Sequence, residues 1–342
     1  MSRESGPQAQ RSVRPAWLSQ LRDCAEPDRE KAAGQIATTL LPYAALWAAM
    51  IFTVHQGLPY VVTLALGIVA AGFLVRTFII FHDCCHGSFF ASRRANRILG
   101  TITGILTFTP FEAWRRSHAR HHTTVGDLDR RGAGDVYTMT VEEYEAAPWY
   151  RRLGYRLFRH PLVMFGIGPT YVFLISQRFA PKGADRATRI DTILTNVAIL
   201  AIIALATITI GLRTYLIIQL PVIIMAATAG VWLFYMQHQF EGVYWARHET
   251  WDPIKAALSG SSYYKLPPLL QWISGNIGLH HVHHLRATIP NYNLQAAYDA
   301  IPALQEVRPL TLRTSLRSLK LALWDEAGQQ LVGFSALHRH QI

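Results

Sequence analysis

Three stretches of this chain carry no Asp, Glu, Lys or Arg: residues 35–75, 192–212 and 214–240. A single crossing of a bilayer needs roughly 20 apolar residues. The first stretch is long enough for two crossings, with Gln56-Gly57-Leu58-Pro59 as the turn between them. Buried core helices of a large soluble protein are the rival reading, but three such stretches exceed what a soluble core needs. The expected fold is therefore an all-α integral membrane protein. Its four spans, about 36–55, 59–81, 192–211 and 214–238, form two hairpins with both termini on the cytosolic side.

Two shorter apolar segments read as re-entrant or interfacial. Ile98–Phe111 is too short for an easy crossing and contains Gly100, Gly104 and Pro110. Pro161–Gln177 could just span. However, Arg151, Arg152, Arg156 and Arg159 precede it, and Arg178, Lys182, Arg186 and Arg189 follow it. Positive flanks on both sides place both ends in the cytosol, so the segment dips into the membrane or lies along it. Residues 1–34 read as a polar arm without a secretory signal, with a short amphipathic helix near Trp17–Cys24. Residues 35–300 form the membrane domain, residues 301–342 a C-terminal segment, and the polar regions together a helical cap. The net charge of +11 does not call for nucleic acid, because the arginines mostly flank apolar segments. Cys24, Cys84 and Cys85 imply no disulfide framework, and Cys84 and Cys85 suit buried packing better than ligation.

Fifteen histidines are present, and most are clustered. His82 and His86 are four apart. His118, His121 and His122 form H-x-x-H-H, and so do His280, His283 and His284. On a helix, positions i, i+3 and i+4 share a face, so each cluster aims its imidazoles one way. His238 stands alone at the end of the fourth span. With paired spans, all four groups emerge on one side of the membrane. Neutral imidazole suits iron, zinc, copper and nickel. Eight or nine of them are too many for one ion, since even a catalytic zinc takes three protein ligands plus water, and they fit two. Spacing alone leaves the element open. His55, His160, His248, His338 and His340 read as ordinary surface residues, and His281 as a surface or supporting one.

The three boxes with their contexts resemble the membrane fatty acid desaturases, most closely the acyl-lipid Δ12 (omega-6) and omega-3 branch. The matching stretches are His82-Asp83-Cys84-Cys85-His86-Gly87-Ser88-Phe89, His118-Ala119-Arg120-His121-His122 through Asp127 and Asp129, and His280-His281-Val282-His283-His284-Leu285 through Ile289-Pro290-Asn291-Tyr292-Asn293. Gln237-His238 matches the pair that closes the last span there. The resemblance covers roughly residues 35–300. It implies a bacterial inner-membrane enzyme that uses O2 to put a cis double bond, of Δ12 type, into a lipid-linked acyl chain. It also implies two non-haem iron ions held by His82, His86, His118, His121, His122, His238, His280, His283 and His284. Asp83, Asp127 and Asp129 are candidates to accept the spare N–H of ligand imidazoles, and Asn276 is a further supporting candidate. Because no His-Pro-Gly-Gly haem motif occurs, electrons must come from a separate donor such as ferredoxin or cytochrome b5. Gly100 and Gly104 are candidates to make room for the acyl chain. Arg115, Arg116 and Arg120 are candidates for a lipid headgroup or a donor. A related lipid hydroxylase, ketolase or conjugase is one rival. A membrane metal transporter is another, but it would place ionisable groups near mid-bilayer, where these spans have almost none.

Overall fold

The computed structural model describes residues 15–338 except 133. Its frame is four long helices: α1 (Arg29–His55), α2 (Tyr60–His86) and, later in the chain, α8 (Arg186–Thr209) and α9 (Leu212–His238). All four are long and apolar enough to cross a membrane. Helix α2 is the hub and packs against both α1 and α9. Tyr43, Met50, Ala70, Leu74, Ile218 and Val222 meet in the core they share.

Local capping residues, rather than hydrophobicity, set the start of α1 and the end of α2. Helix α1 starts at Arg29, not near 36, because the Asp28 carboxylate accepts hydrogen bonds from the backbone N–H groups of Glu30 and Lys31. Helix α2 runs past Phe81 to His86 and stops at Gly87, whose φ of 70° ends the helix in the left-handed conformation that glycine adopts without strain. The first histidine pair therefore lies on the last turns of the span itself.

Between the two helix pairs come α3 (Arg93–Leu106) and α4 (Phe111–Thr124), then α5 (Val141–Ala146), α6 (Trp149–Arg159) and α7 (Gly168–Leu174). Helix α3, which covers most of the Ile98–Phe111 segment, packs along α2. Gly100 lies against Phe111 and Cys84, and Gly104 lies against the Thr109 carbonyl and Phe81. Those two glycines serve helix packing and do not open a chain tunnel. After α6 the backbone bends by 63° into residues Val163–Arg178. At one end of this excursion Arg159 bonds Gln239, just beyond α9. At the other, Asp185 pairs with Arg116 of α4 at 2.7 Å.

The remaining residues form a cap of short elements: α10 (Pro253–Ser259), α11 (Pro268–Ile273), α12 (His280–Leu285), α13 (Leu294–Ala300), α14 (Pro302–Gln305) and α15 (Leu312–Ser318). Trp17 and Leu18, in the 3-10 turn Ala16–Ala25, pack against this cap. The expectation of an all-α chain needs correction. Among the described residues, five short strands occur: β1 (Met139–Thr140), β2 (Tyr263–Lys265), β3 (Pro309–Thr311), β4 (Leu323–Asp325) and β5 (Gln330–Val332). β2 and β3 pair in parallel, and β4 lies between β1 and β5. With two or three residues each, they are too short to show the alternating pattern by which a strand is read.

Candidate metal centre

Four elements converge at the end of the helical frame. The last turns of α2 bring His82 and His86, and α4 brings His118, His121 and His122. Helix α9 ends on His238, and α12 carries His280, His283 and His284. Their ring nitrogens fall into two sets. His82, His86, His118, His122 and His283 form one, and His121, His238, His280 and His284 the other. Within each set the ligand atoms lie within 4.8 Å of one another. Each H-x-x-H-H box is split between the two sets, so the boxes interlock and do not each make their own site.

The spacing inside the sets is diagnostic. Nε2 of His118 is 3.0 Å from that of His82 and 3.1 Å from that of His122. Nε2 of His122 is 3.0 Å from that of His283. In the second set, Nε2 of His238 is 3.1 Å from that of His121 and 3.0 Å from that of His280, and His284 and His280 are also 3.0 Å apart. A metal–imidazole bond of about 2.1 Å puts neighbouring ligands of an octahedral ion about 3.0 Å apart. Two tautomers are fixed by acceptors that cannot donate. His82 Nδ1–H donates to Asp83 Oδ1 at 3.0 Å, and His238 Nδ1–H donates to the Gly260 carbonyl at 3.1 Å. In both rings Nε2 is left as a bare lone pair aimed at other imidazoles. A cation seated among these nitrogens would satisfy those lone pairs. His86 Nε2 is buried with no hydrogen-bond partner. These side chains fit two metal ions, with five and four nitrogens respectively.

Electrostatics point the same way. His118, His121, His122, His280, His283 and His284 all have pKa values well below the usual imidazole range. Burial is the main cause in each, and neighbouring imidazoles add to it. Neutral imidazole is the metal-binding form. Trp114 stacks on His118 with ring centroids 4.2 Å apart and fixes its plane.

The supporting residues divide. Asp83 is buried, and its second oxygen accepts from the backbone N–H and the side chain of Asn291 at 2.6 and 2.8 Å. Asn291 in turn accepts from Gln35 of α1 at 3.0 Å. Asp83 thus ties the first box to the segment after the third, and Asn291 and Gln35 complete a network that the sequence reading did not single out. Asp127 and Asp129 turn elsewhere. The chain leaves α4 at Val125, and Asp127 bridges to Ala246. Its carboxylate accepts from His248 Nδ1 at 2.8 Å. Asp129 accepts from Arg247 and from the His248 backbone, which holds its pKa below the usual carboxylate value. Asn276 adopts φ 59°, and its side chain donates to the Asn291 carbonyl at 3.3 Å; it shapes the turn before α12. His281 is fully buried, not at the surface, and points away from the cluster, with Nε2–H donating to the Leu304 carbonyl at 3.2 Å. His340 lies outside the described residues. Arg115 and Arg116 reach Glu112 and Asp185.

A cavity of about 340 Å³ lies under the cluster. His82, His118 and His280 form part of its wall, and Leu74, Phe78, Phe173, Ile223 and Ala226 continue it away from them. Along α9 it extends from Gln237 to Ile223, a rise of about 21 Å. At Gly230 a Cβ would meet nothing within 4 Å.

Comparison with known proteins agrees with this geometry. A fatty acid desaturase of Bacillus subtilis (strain 168) is 48% identical over 313 residues, covering 92% of this chain and 88% of that protein. An sn-1 acyl-lipid omega-3 desaturase (ferredoxin) of Synechocystis is 28% identical over 249 residues, 67% of this chain and 64% of the relative. An sn-1 oleoyl-lipid 12-desaturase of the same organism is 25% identical over 299 residues, 82% of this chain and 78% of the relative. The family model described as fatty acid desaturase matches residues 56–314, a span that holds both histidine sets and the cavity beneath them, and the chain belongs to the fatty acid desaturase family.

Proposed function

We propose that this protein uses O2 and two electrons from a separate donor to introduce a cis double bond into a lipid-linked acyl chain. The observation that carries the reading is the junction of two interlocked histidine sets with one elongated apolar cavity. The nine histidines are the proposed ligands of two iron ions. When bound, the irons would supply the O2 activation that removes two hydrogens from adjacent methylenes, with water as the other product. The protein's own side chains do the positioning. Leu74, Phe78, Ile223 and Ala226 hold methylenes and keep water out. Asp83 and the Gly260 carbonyl fix the tautomers of His82 and His238.

Paired spans would put the cluster and both termini on the cytosolic side of a bacterial inner membrane, with residues 163–178 re-entrant. The contacts of Arg159 and Asp185 at the two ends of that excursion support this arrangement. The donor we propose is a ferredoxin, as in the name of the Synechocystis omega-3 relative; a free cytochrome b5 is the alternative. The Δ12 position rests on the more distant relatives.

Mass spectrometry of fatty acid methyl esters from a bacterial host expressing the chain tests the reaction, and dimethyl disulfide adducts locate the bond. A loss of two mass units with a second bond at Δ12 supports the full reading. A bond elsewhere keeps the desaturase and corrects its position, and a gain of oxygen points to hydroxylation. Separately, His121→Ala should lose bound iron; wild-type iron with full activity would remove His121 from the ligand set.

A further inference from the structure

Helix α6 is inverted relative to a surface helix of a soluble protein, which turns its apolar stripe inward. Tyr155 and Arg159 face the protein and are buried. Trp149, Tyr150, Leu153 and Leu157 face outward, at 69%, 58%, 49% and 55% exposed. Arg151 and Arg152 flank this stripe and are exposed. Among the described residues, neither side chain has a hydrogen-bond or acidic partner. Helix α15 repeats the pattern, with exposed Leu312 and Leu316 beside exposed Arg313 and Arg317.

The two helices stand at one level of the molecule. Arg159, at the end of α6, donates to the Tyr235 hydroxyl at 3.2 Å and to the Leu321 carbonyl at 2.8 Å. The Tyr235 hydroxyl donates to the Ser318 carbonyl, at the end of α15, at 3.2 Å. Tyr235 is one helical turn before His238. This level therefore adjoins the cluster, at the end of a candidate span, where a bilayer surface would lie. An outward apolar stripe bordered by arginines is the pattern of a helix lying in the headgroup layer. Unpaired arginines there favour anionic lipid by electrostatics. Past its end, α6 bends into the segment whose Val172, Phe173 and Gln177 line the cavity.

We propose that α6 and α15 form a docking surface for anionic glycerophospholipid headgroups, with Arg151, Arg152, Arg313 and Arg317 holding the phosphate. Acyl chains of anionic lipids are thereby presented first to the cavity. This last clause rests on the desaturase reading, while headgroup binding does not.

Two measurements on the full chain in nanodiscs of equal phosphatidylglycerol and phosphatidylethanolamine test the surface. Native mass spectrometry should find phosphatidylglycerol in excess among retained lipids, with the excess falling ~5-fold per arginine removed in a series ending at R151Q/R152Q/R313Q/R317Q. Equal retention in wild type and the fourfold variant overturns the proposal. A nitroxide on Leu153→Cys, in a Cys24→Ser background, should be relaxed by O2 and shielded from a water-soluble nickel chelate. Relaxation by the chelate instead places α6 in water and also overturns it. Neither readout depends on catalysis, so each stands if desaturation is not found. Where desaturation is found, new double bonds should accumulate faster in phosphatidylglycerol than in phosphatidylethanolamine, and the fourfold variant should lose that difference. Equal rates in the wild type would overturn the presentation step.

Discussion

Asp83 touches both a candidate ligand, His82, and the segment that follows the third box. Replacing it with Ala frees the His82 ring and leaves the buried Asn291 donors unpaired. Loss of such a supporting bond typically costs 10–100-fold in metal affinity, and chelator competition against Asp83→Ala should read a loss of that size. The histidines also set a pH limit. Burial lowers the pKa values of six of them in the folded protein, so between the folded values and about 6.5 the unfolded chain binds more protons. Stability is then lost as pH falls below about 6.5, and metal release adds to the loss. Chelator-accessible metal followed from pH 8 to 5 should rise on the acid side. The histidine boxes were legible in the sequence because helical spacing alone aims their rings. Asp127 and Asp129 misled because adjacency in sequence says nothing of where a loop turns once α4 has ended. Asn291 was passed over because its partner, Asp83, is more than 200 residues away.

Two kinds of glycine separate at the scale of elements. A Cβ on Gly100 would sit 2.3 Å from the Phe111 ring, whereas one on Gly230 would enter open space. Gly100→Ala should therefore destabilise by about 1–3 kcal/mol through overpacking, visible as a lower melting temperature in detergent. Gly230→Leu should melt like wild type but shorten the cavity, shifting product profiles toward shorter acyl chains or another bond position; an unchanged profile would take Gly230 out of the substrate path. The sequence revealed that the four long helices exist, because absence of charge over 20 residues is hard to read otherwise. Their ends were hidden, since the Asp28 cap and the Gly87 turn add residues that hydropathy does not count. The 63° bend after α6 was legible only as charge on both flanks.

Across the whole molecule, the histidine sets join four elements, α2, α4, α9 and α12. Removing metal should thus loosen the cap more than the frame, because metal binding is coupled to the order of its ligands. Hydrogen exchange should speed up in residues 111–129 and 239–300 on chelation while the middles of α1, α2, α8 and α9 stay protected. Uniform acceleration would mean that the frame depends on the metal too. One consequence follows from helix length. Helices α2 and α9 each have 27 residues, about 40 Å of rod, against a hydrocarbon layer of about 30 Å. Both carry their histidines on the final turns, which in the proposed two-hairpin arrangement would stand at the cytosolic surface of the membrane. On the proposed reaction, electrons would arrive from the aqueous side while an acyl chain enters from the oily one, so the chemistry would sit at a phase boundary set by the length of two spans.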